Sequence, residues 1–183
     1  MSSNNLSTNT SYAVFDLETG GLDASTDPIL QIAVVTFGVA GNERIGEGSW
    51  SSMVRLPRPW TSYGAKHIHG IRRHRLLFAP TLAQSLARFT EICGDRTLVA
   101  HNFDFDWGFL TIAAERMHLP LPRGPHLCTL RLSRSLDPKR QYSHRLSDVA
   151  QRYGIANDHE HDALADAKTT AAVLPHLMRE TPS

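Results

Sequence analysis

The chain has 183 residues and a net charge of +1, with 41% hydrophobic and 20% charged residues. This length and composition suit one compact domain and exclude a disordered or fibrous chain. No run of about 18 apolar residues occurs, so no membrane-spanning helix and no membrane partner is expected. We expect a single domain over residues 11–180. It follows a polar, disordered tail at 1–10 that lacks the pattern of a signal peptide.

Three closely spaced strands are predicted in the first half of the chain, at 12–18, 29–37 and 48–55. Their short connections favour an antiparallel meander. The second of them is a near-continuous apolar run, so we expect both of its faces to be buried. Thr81 is a candidate N-cap for a helix over 82–92.

The second half of the chain alternates between apolar strand and helix patterns. It predicts a short buried strand at 98–100 and helices at about 105–117, 129–136, 145–153 and 162–178. Strands first and alternation later predict a mixed α/β sheet with helices on its faces.

The two cysteines, Cys93 and Cys128, both lie in apolar stretches. Two cysteines are too few for a disulfide framework, so we expect buried free thiols. Free thiols are typical of a reducing compartment, which makes the cytoplasm the predicted location.

The small net charge hides an uneven distribution along the chain. Residues 1–47 carry six acids and one base, whereas residues 48–90 carry seven Lys or Arg and no acid. Residues 123–152 carry seven bases and two acids. A single charged run is usually a solvated face. Two basic stretches beside clustered acids suit a polyanion held near metal ions.

Two acids share one face of the first predicted strand. Side chains alternate along a strand, so Asp16 and Glu18 lie on the same side as Val14. Buried charge has to be neutralised by a proton, a cation or hydrogen bonds. The glycines at 20–21 end the strand at once. The pair is therefore either a solvated strand end or part of a cation site.

A second acidic signal is AHNFDFDWGFL, residues 100–110, where helical spacing separates two aspartates. Asp106 falls on the apolar stripe that contains Phe109 and Leu110, which predicts that it faces the sheet. Asp104 lies about 200° round the same helix and is interpreted as an N-cap or surface acid. An inward aspartate is either a satisfied polar residue or a ligand.

The third signal, HEHDALADA at 159–167, opens an alanine-rich helix. Asp162 and Asp166 are four residues apart and share a helix face. His161 joins that face only if it lies just before the helix. Acids in a first turn also complement the helix dipole, and the spacing leaves open which acid faces inward.

The three motifs resemble, in order and interval, those of DnaQ-like 3′–5′ exonucleases of the DEDDh class. They are FDLETGGLD at 15–23, AHNFDFDWGFL at 100–110 and HDALADA at 161–167. CTLRLSRSLDP at 128–138 and IHGI at 68–71 match further segments of the family. The HGI segment is similar to that of polymerase proofreading domains, such as the polymerase III epsilon exonuclease domain.

This resemblance implies an RNase H-like fold, with a five-stranded mixed β-sheet flanked by α-helices. It implies an enzyme that releases nucleoside 5′-monophosphates from DNA 3′ ends by a two-metal-ion mechanism. The expected cofactors are two divalent ions, Mg²⁺ or Mn²⁺, because hard cations prefer carboxylate oxygens. By the same resemblance, Asp162 becomes a surface residue. The implied catalytic residues are the metal ligands Asp16, Glu18, Asp106 and Asp166, and the general base His161.

Candidate substrate contacts come from the family segments and from the basic stretches. Family members more often have Thr and an acid after HGI, whereas this chain has arginines, so its handling of the 3′ terminus is expected to differ. The candidate substrate-binding residues are Leu17, Thr19, Leu22, His69, Arg72, Arg73 and Asn102, with Phe15 and Tyr63 as further contacts to terminal nucleotides. The candidate phosphate contacts, each alternatively a solvated side chain, include Arg75, Arg134, Lys139, Arg140 and Arg145.

Single-stranded 3′ ends of DNA are the expected partner, together with a polymerase or another nucleic-acid-processing complex. One alternative is an RNA-directed 3′–5′ exoribonuclease. The other is a catalytically silent nucleic-acid-binding module, against which the complete set of acidic residues argues.

Overall fold

The sheet determines where every other element lies. A computed structural model describes residues 10–40, 43–64, 69–156 and 161–180. In this part of the chain five strands form one sheet, in the order β3-β2-β1-β4-β5. Residues 1–9 of the predicted tail lie outside the described residues, and the tenth already belongs to the first strand. The strands are β1 (Thr10–Thr19), β2 (Ile29–Ala40), β3 (Glu43–Met53), β4 (Thr97–Ala100) and β5 (His126–Cys128).

The first three strands form the predicted antiparallel meander. Val14 on β1 pairs with Val35 on β2, which in turn pairs with Ser49 on β3. β4 pairs parallel to β1 and β5 pairs parallel to β4. The sheet is therefore mixed, as predicted. Side chains on both faces of β2 are buried from Ile29 to Val35, which confirms the interpretation of its apolar run.

The described helices flank this sheet. Five of them match the predicted helices to within about three residues at each end, as expected for boundaries. The short α1 and the three-residue β5 were not predicted, because neither is long enough to show a hydrophobic period. The helices are α1 (Arg73–Leu77), α2 (Leu82–Cys93), α3 (Phe103–Met117), α4 (Thr129–Ser135), α5 (Leu146–Arg152) and α6 (Ala163–Glu180).

Two apolar layers pack on opposite faces of β1. On one side Phe15 packs with α2 and α3, and its ring meets Phe89 edge-on at 5.4 Å. On the other side α6 lays Ala163, Ala167 and Ala171 against the sheet. These alanines are four residues apart and fully buried, so a small-residue stripe lets the helix approach closely. The start of α6 therefore lies beside the end of β1.

Local predictions of capping and cysteine state are also confirmed. Thr81 caps α2 through a capping box with Gln84: the amide of Gln84 donates to Thr81 Oγ1 and the amide of Thr81 donates back to Oε1. Cys93 and Cys128 are buried free thiols. Among the described residues, none of the helices has both the length and the apolar character that a bilayer crossing requires.

Candidate active site

Three carboxylates converge where β1 ends. Asp16, Glu18 and Asp166 each offer an oxygen, and these oxygens lie within 4.8 Å of one another. The alternation of β1 brings the first two together, and the close approach of α6 adds the third. Glu18 is buried, whereas the other two are half-buried. The pairing register of β1 shifts directly after Glu18, so the strand ends at the site.

Asp106 reaches β1 from the first turn of α3. It is 4% exposed, and its Oδ1 accepts a 3.1 Å hydrogen bond from the backbone amide of Leu17. That amide lies between Asp16 and Glu18 in the chain. The inward orientation predicted from helical spacing is therefore found in the structure, and Asp106 borders the cluster.

Asp104 points away from the sheet on the same turn. It is exposed and forms an ion pair with Arg131. Its interpretation as a surface acid is confirmed, but its alternative interpretation as an N-cap is wrong. Asn102 occupies the N-cap position, because α3 begins at Phe103, two residues earlier than an N-cap at Asp104 would require.

Burial and like charge give these carboxyls unusual acidities. Burial, followed by the charges of Asp106 and Asp166, raises the pKa of Asp16 well above its usual range. Burial and then the charge of Asp166 raise the pKa of Glu18 to about 8. Burial raises the pKa of Asp106 to about 7. A bound cation would relieve this repulsion, so the donor set fits a hard divalent metal ion.

Asp162 is not the surface residue that the family resemblance implied. It is half-buried, and its Oδ1 accepts from the amides of Leu164 and Ala165 at 3.1 and 3.2 Å, which makes it the N-cap of α6. Its Oδ2 accepts from Gln31 on β2 at 3.2 Å. Its charge also raises the pKa of both Asp16 and Glu18. The resemblance alone gave no reason to expect this contribution.

His161 lies just before α6, separated from its first residue by the N-cap Asp162. This is the position that the sequence analysis required for His161 to share a face with Asp166. Its backbone is left-handed, with φ of 66°, and its amide donates to Asp166 Oδ2 at 3.1 Å. The residue is exposed to solvent. His159, in the same motif, lies outside the described residues. The hydrogen bond from its amide keeps the backbone of His161 beside Asp166, while its side chain is exposed.

The segment from Tyr63 to Ile71 is attached to the end of β1, although residues 65–68 within it lie outside the described part. The amide of Gly64 donates to the carbonyl of Gly20 at 2.7 Å. His69 Nδ1 accepts from the amide of Ile71 at 2.9 Å, so its Nε2 donates to the carbonyl of Gly64, 3.1 Å away. His69 is buried, with both ring nitrogens occupied. It therefore positions the segment and has no free polar atom for substrate.

The other candidate contacts from β1 differ in accessibility. Phe15 is fully buried in the core, so its proposed contact with nucleotides is wrong. Leu17 is also buried on that face, with its amide engaged by Asp106. Thr19 is buried and donates to the carbonyl of Gly21 at 2.7 Å, whereas Leu22 is 86% exposed. Leu22 is thus the apolar side chain of this group that is free to meet a ligand.

The remaining substrate candidates differ in exposure. Tyr63 is buried and donates to the carbonyl of Ile71. Arg73 is half-buried and donates to the carbonyls of Pro59 and Thr61. The exposed candidates are Arg72, Arg75, Asn102, Arg134, Lys139, Arg140 and Arg145.

A half-buried histidine that the sequence did not single out lies just before α3. His101 Nδ1 lies 2.9 Å from Thr129 Oγ1, and its Nε2 lies 2.9 Å from the carbonyl of His144. His144 Nδ1 in turn contacts Ser133 Oγ at 2.8 Å. Burial lowers the pKa of His101. The histidine of the AHN motif was the available signal, since it lies between the predicted strand at 98–100 and the predicted helix at about 105–117.

A cavity of about 640 Å³ lies away from the acidic cluster. It is mostly apolar and runs between the end of β3, α1 and the later turns of α3. None of the four candidate metal ligands lines it. The candidate site is therefore defined by its carboxylates and not by this cavity.

The mixed sheet, with carboxylates gathered at the end of its middle strand, has the RNase H-like fold. The chain belongs to the exonuclease family, whose sequence model matches residues 13–174. This family depends on divalent metal ions, in agreement with the acidic cluster.

The similar proteins are much longer than this chain. The PolC-type DNA polymerase III of Latilactobacillus sakei is 36% identical over 171 residues, and that of Bacillus subtilis is 34% identical over 170 residues. Each alignment covers 92% of this chain and 11% of the polymerase. E. coli Exonuclease I, solved with a dT13 oligonucleotide, has a TM-score of 0.75 and 20% identity. That match covers 94% of this chain and 41% of the other, and it shows the same fold.

Proposed function

We propose that the protein is a 3′–5′ exonuclease that removes nucleoside 5′-monophosphates one at a time from single-stranded DNA ends. The observation that carries this proposal is the set of three carboxylates within 4.8 Å, with Asp106 buried behind them. Membership of the exonuclease family supports the reaction class.

Two divalent ions, Mg²⁺ or Mn²⁺, are the proposed cofactors. The chemistry of the donor set supports them, because carboxylate oxygens crowded by like charge suit hard cations. Such ions, when bound, supply Lewis acidity that activates water and stabilises a departing oxygen. The proposed ligands are Asp16, Glu18, Asp106 and Asp166.

His161 is the proposed general base. Its exposed side chain borders Asp166 at the start of α6. An imidazole can accept a proton from water near neutral pH. The water oxygen bonds to the phosphorus of the terminal nucleotide, and the bond from that phosphorus to the 3′ oxygen of the penultimate nucleotide breaks. That oxygen takes a proton and becomes the new 3′ end.

The substrate and its cellular context follow from charge and from the similar proteins. Seven bases and no acids in residues 48–90 support binding of a polyanion. The PolC-type relatives support work alongside a polymerase, in proofreading, repair or end trimming. The free cysteines support the cytoplasm as the location.

A labelled-substrate assay tests the proposed function. DNA and RNA strands, single and double, carry a label at either the 3′ or the 5′ end and are digested with and without Mg²⁺ or Mn²⁺. We expect the 3′ label to leave first from single-stranded DNA, only with metal, and not with the Asp166→Asn variant.

Two other results of this assay would replace the proposal. Faster digestion of RNA than of matched DNA would make the enzyme an exoribonuclease. Binding of the strands without any degradation, even with Mn²⁺, would make it a silent binding module.

A further inference from the structure

Trp60 is an aromatic side chain displayed on a rigid turn. It is 75% exposed. The turn closes twice: the amide of Thr61 donates to the carbonyl of Arg58 at 2.9 Å, and the amide of Arg58 donates to Thr61 Oγ1 at 3.2 Å. Pro59 restricts the backbone just before the tryptophan. An exposed indole on an ordered turn is a ready surface for a flat partner.

Hydrogen bonds and a cation–π contact connect this turn to the chain just beyond β1. Arg73 donates to the carbonyls of Pro59 and Thr61, on both sides of Trp60. Its guanidinium also lies over the ring of Tyr63, 5.2 Å from the centroid. The next residue, Gly64, donates to the carbonyl of Gly20 at 2.7 Å, two residues beyond Glu18. The turn is thus attached to the strand end that carries the carboxylates.

The segment that contains the turn carries charges of one sign. Residues 48–90 contain no acid, and Arg58 and Arg72 are exposed within them. Proteins that bind single strands without sequence preference use positively charged grooves, in which aromatic side chains stack on successive bases. Exposed arginines beside an exposed tryptophan meet both requirements.

We propose that Trp60, with Arg58 and Arg72, is a stacking platform for a base of the single strand upstream of the terminal nucleotide. This inference rests on the proposed function for its substrate and adds a specificity for length: strands too short to reach the turn gain nothing from it. Its ligand is a nucleobase with its flanking phosphates.

Steady-state kinetics with Mn²⁺ on dT2 and dT12 test the platform in the full chain. We expect Trp60→Ala to raise KM for dT12 about tenfold, with kcat and all kinetics on dT2 unchanged. Trp60→Phe should retain most of the affinity, because a phenyl ring still stacks. Phe78→Ala is the matched control, since Phe78 is 95% exposed at the end of α1 and should leave both substrates unaffected.

Several results would overturn the platform. They are an unchanged KM of Trp60→Ala for dT12, an equal loss on dT2, and the same loss in Phe78→Ala. If the wild-type protein degrades neither strand, the proposed function fails and the fluorescence of Trp60 decides the inference. The other two tryptophans, Trp50 and Trp107, are partly buried against the core. Quenching by dT12 that is lost in Trp60→Phe would then support stacking, and unchanged quenching would refute it.

Discussion

Helices α3 and α6 each begin with a pair of aspartates, yet they deliver different numbers of carboxylates to the sheet. Asp104 and Asp106 are two residues apart, so one faces solvent and the other faces β1. Asp162 and Asp166 are four apart, and both charges act on Asp16. The helical period, more than the number of acids, determines how much negative charge a helix start adds to the site.

The largest expected effect separates the two aspartates of α3. Asp106→Asn should lower metal-dependent hydrolysis by more than about 10³-fold, because it removes a charged oxygen ligand. Asp104→Asn should keep full activity, since that side chain points away from β1. Nuclease rates at saturating Mg²⁺ and thermal melting of both variants provide the measurement. An inactive Asp104→Asn beside an active Asp106→Asn would show that the register of α3 is wrong.

The residue that precedes α6 gives the next largest effect. His161→Ala should lower turnover by about 10²–10⁴-fold if the imidazole accepts the proton of water. Metal binding should persist, because the carboxylates remain. Rate against pH is the informative measurement. A variant that keeps the acid limb of the wild-type profile would indicate that another group takes the proton.

Asp162 provides a milder test of the start of α6. Asp162→Asn keeps an N-cap but removes a charge, so we expect weaker Mn²⁺ binding by a few-fold and little change in stability. Asp162→Ala should in addition lose about 1 kcal/mol of the free energy of unfolding, because the cap to Leu164 and Ala165 is gone. Calorimetric titration with Mn²⁺ and urea unfolding separate the two effects. Equal stability of both variants would argue against the cap.

The smallest effect concerns the half-buried His101 before α3, in contrast with the exposed His161 before α6. Burial lowers the pKa of His101, so the folded state favours the neutral ring. In the unfolded state the ring has the ordinary histidine pKa of about 6.5. The neutral ring of His101 therefore contributes to stability above the unfolded-state pKa. That contribution is lost as the pH falls through the lower pKa of the folded state. The stability gap between wild type and His101→Gln should therefore shrink below about pH 6.5.

Urea unfolding from pH 5 to 7.5 measures this gap. Comparing two variants at each pH cancels other titrations, including the opposite trend of carboxyls with raised pKa. Phe78→Ala is the control, since an exposed side chain without an ionisable group should give a gap that does not change with pH. A constant gap for His101→Gln would contradict the burial of a neutral ring.

Local periodicity explains what the sequence could predict of this site. The alternation of side chains along a strand placed Asp16 and Glu18 on one face, and helical spacing placed Asp106 on the inward face. Both patterns are local, so they can be recognised within a few residues of sequence. The role of Asp162 depends on Gln31, which is 131 residues away in the chain and has no sequence pattern to announce it. The occupied ring of His69 likewise depends on carbonyl and amide groups of a folded loop. The short α1 and β5 contain too few residues to show a hydrophobic period in the sequence, so they could not be predicted.

The alanine stripe of α6 extends the site well beyond its charged residues. Ala163, Ala167 and Ala171 fix how closely the helix approaches β1, and Asp166 lies on the same rigid element. A bulkier side chain at 167 would move the helix outward and carry the carboxylate of Asp166 away from those of Asp16 and Glu18. Selection for activity therefore also acts on methyl-sized volumes in the apolar layer. A survey of natural variation should find only small residues at the positions of Ala163, Ala167 and Ala171. It should find as little variation there as at the carboxylates of the site.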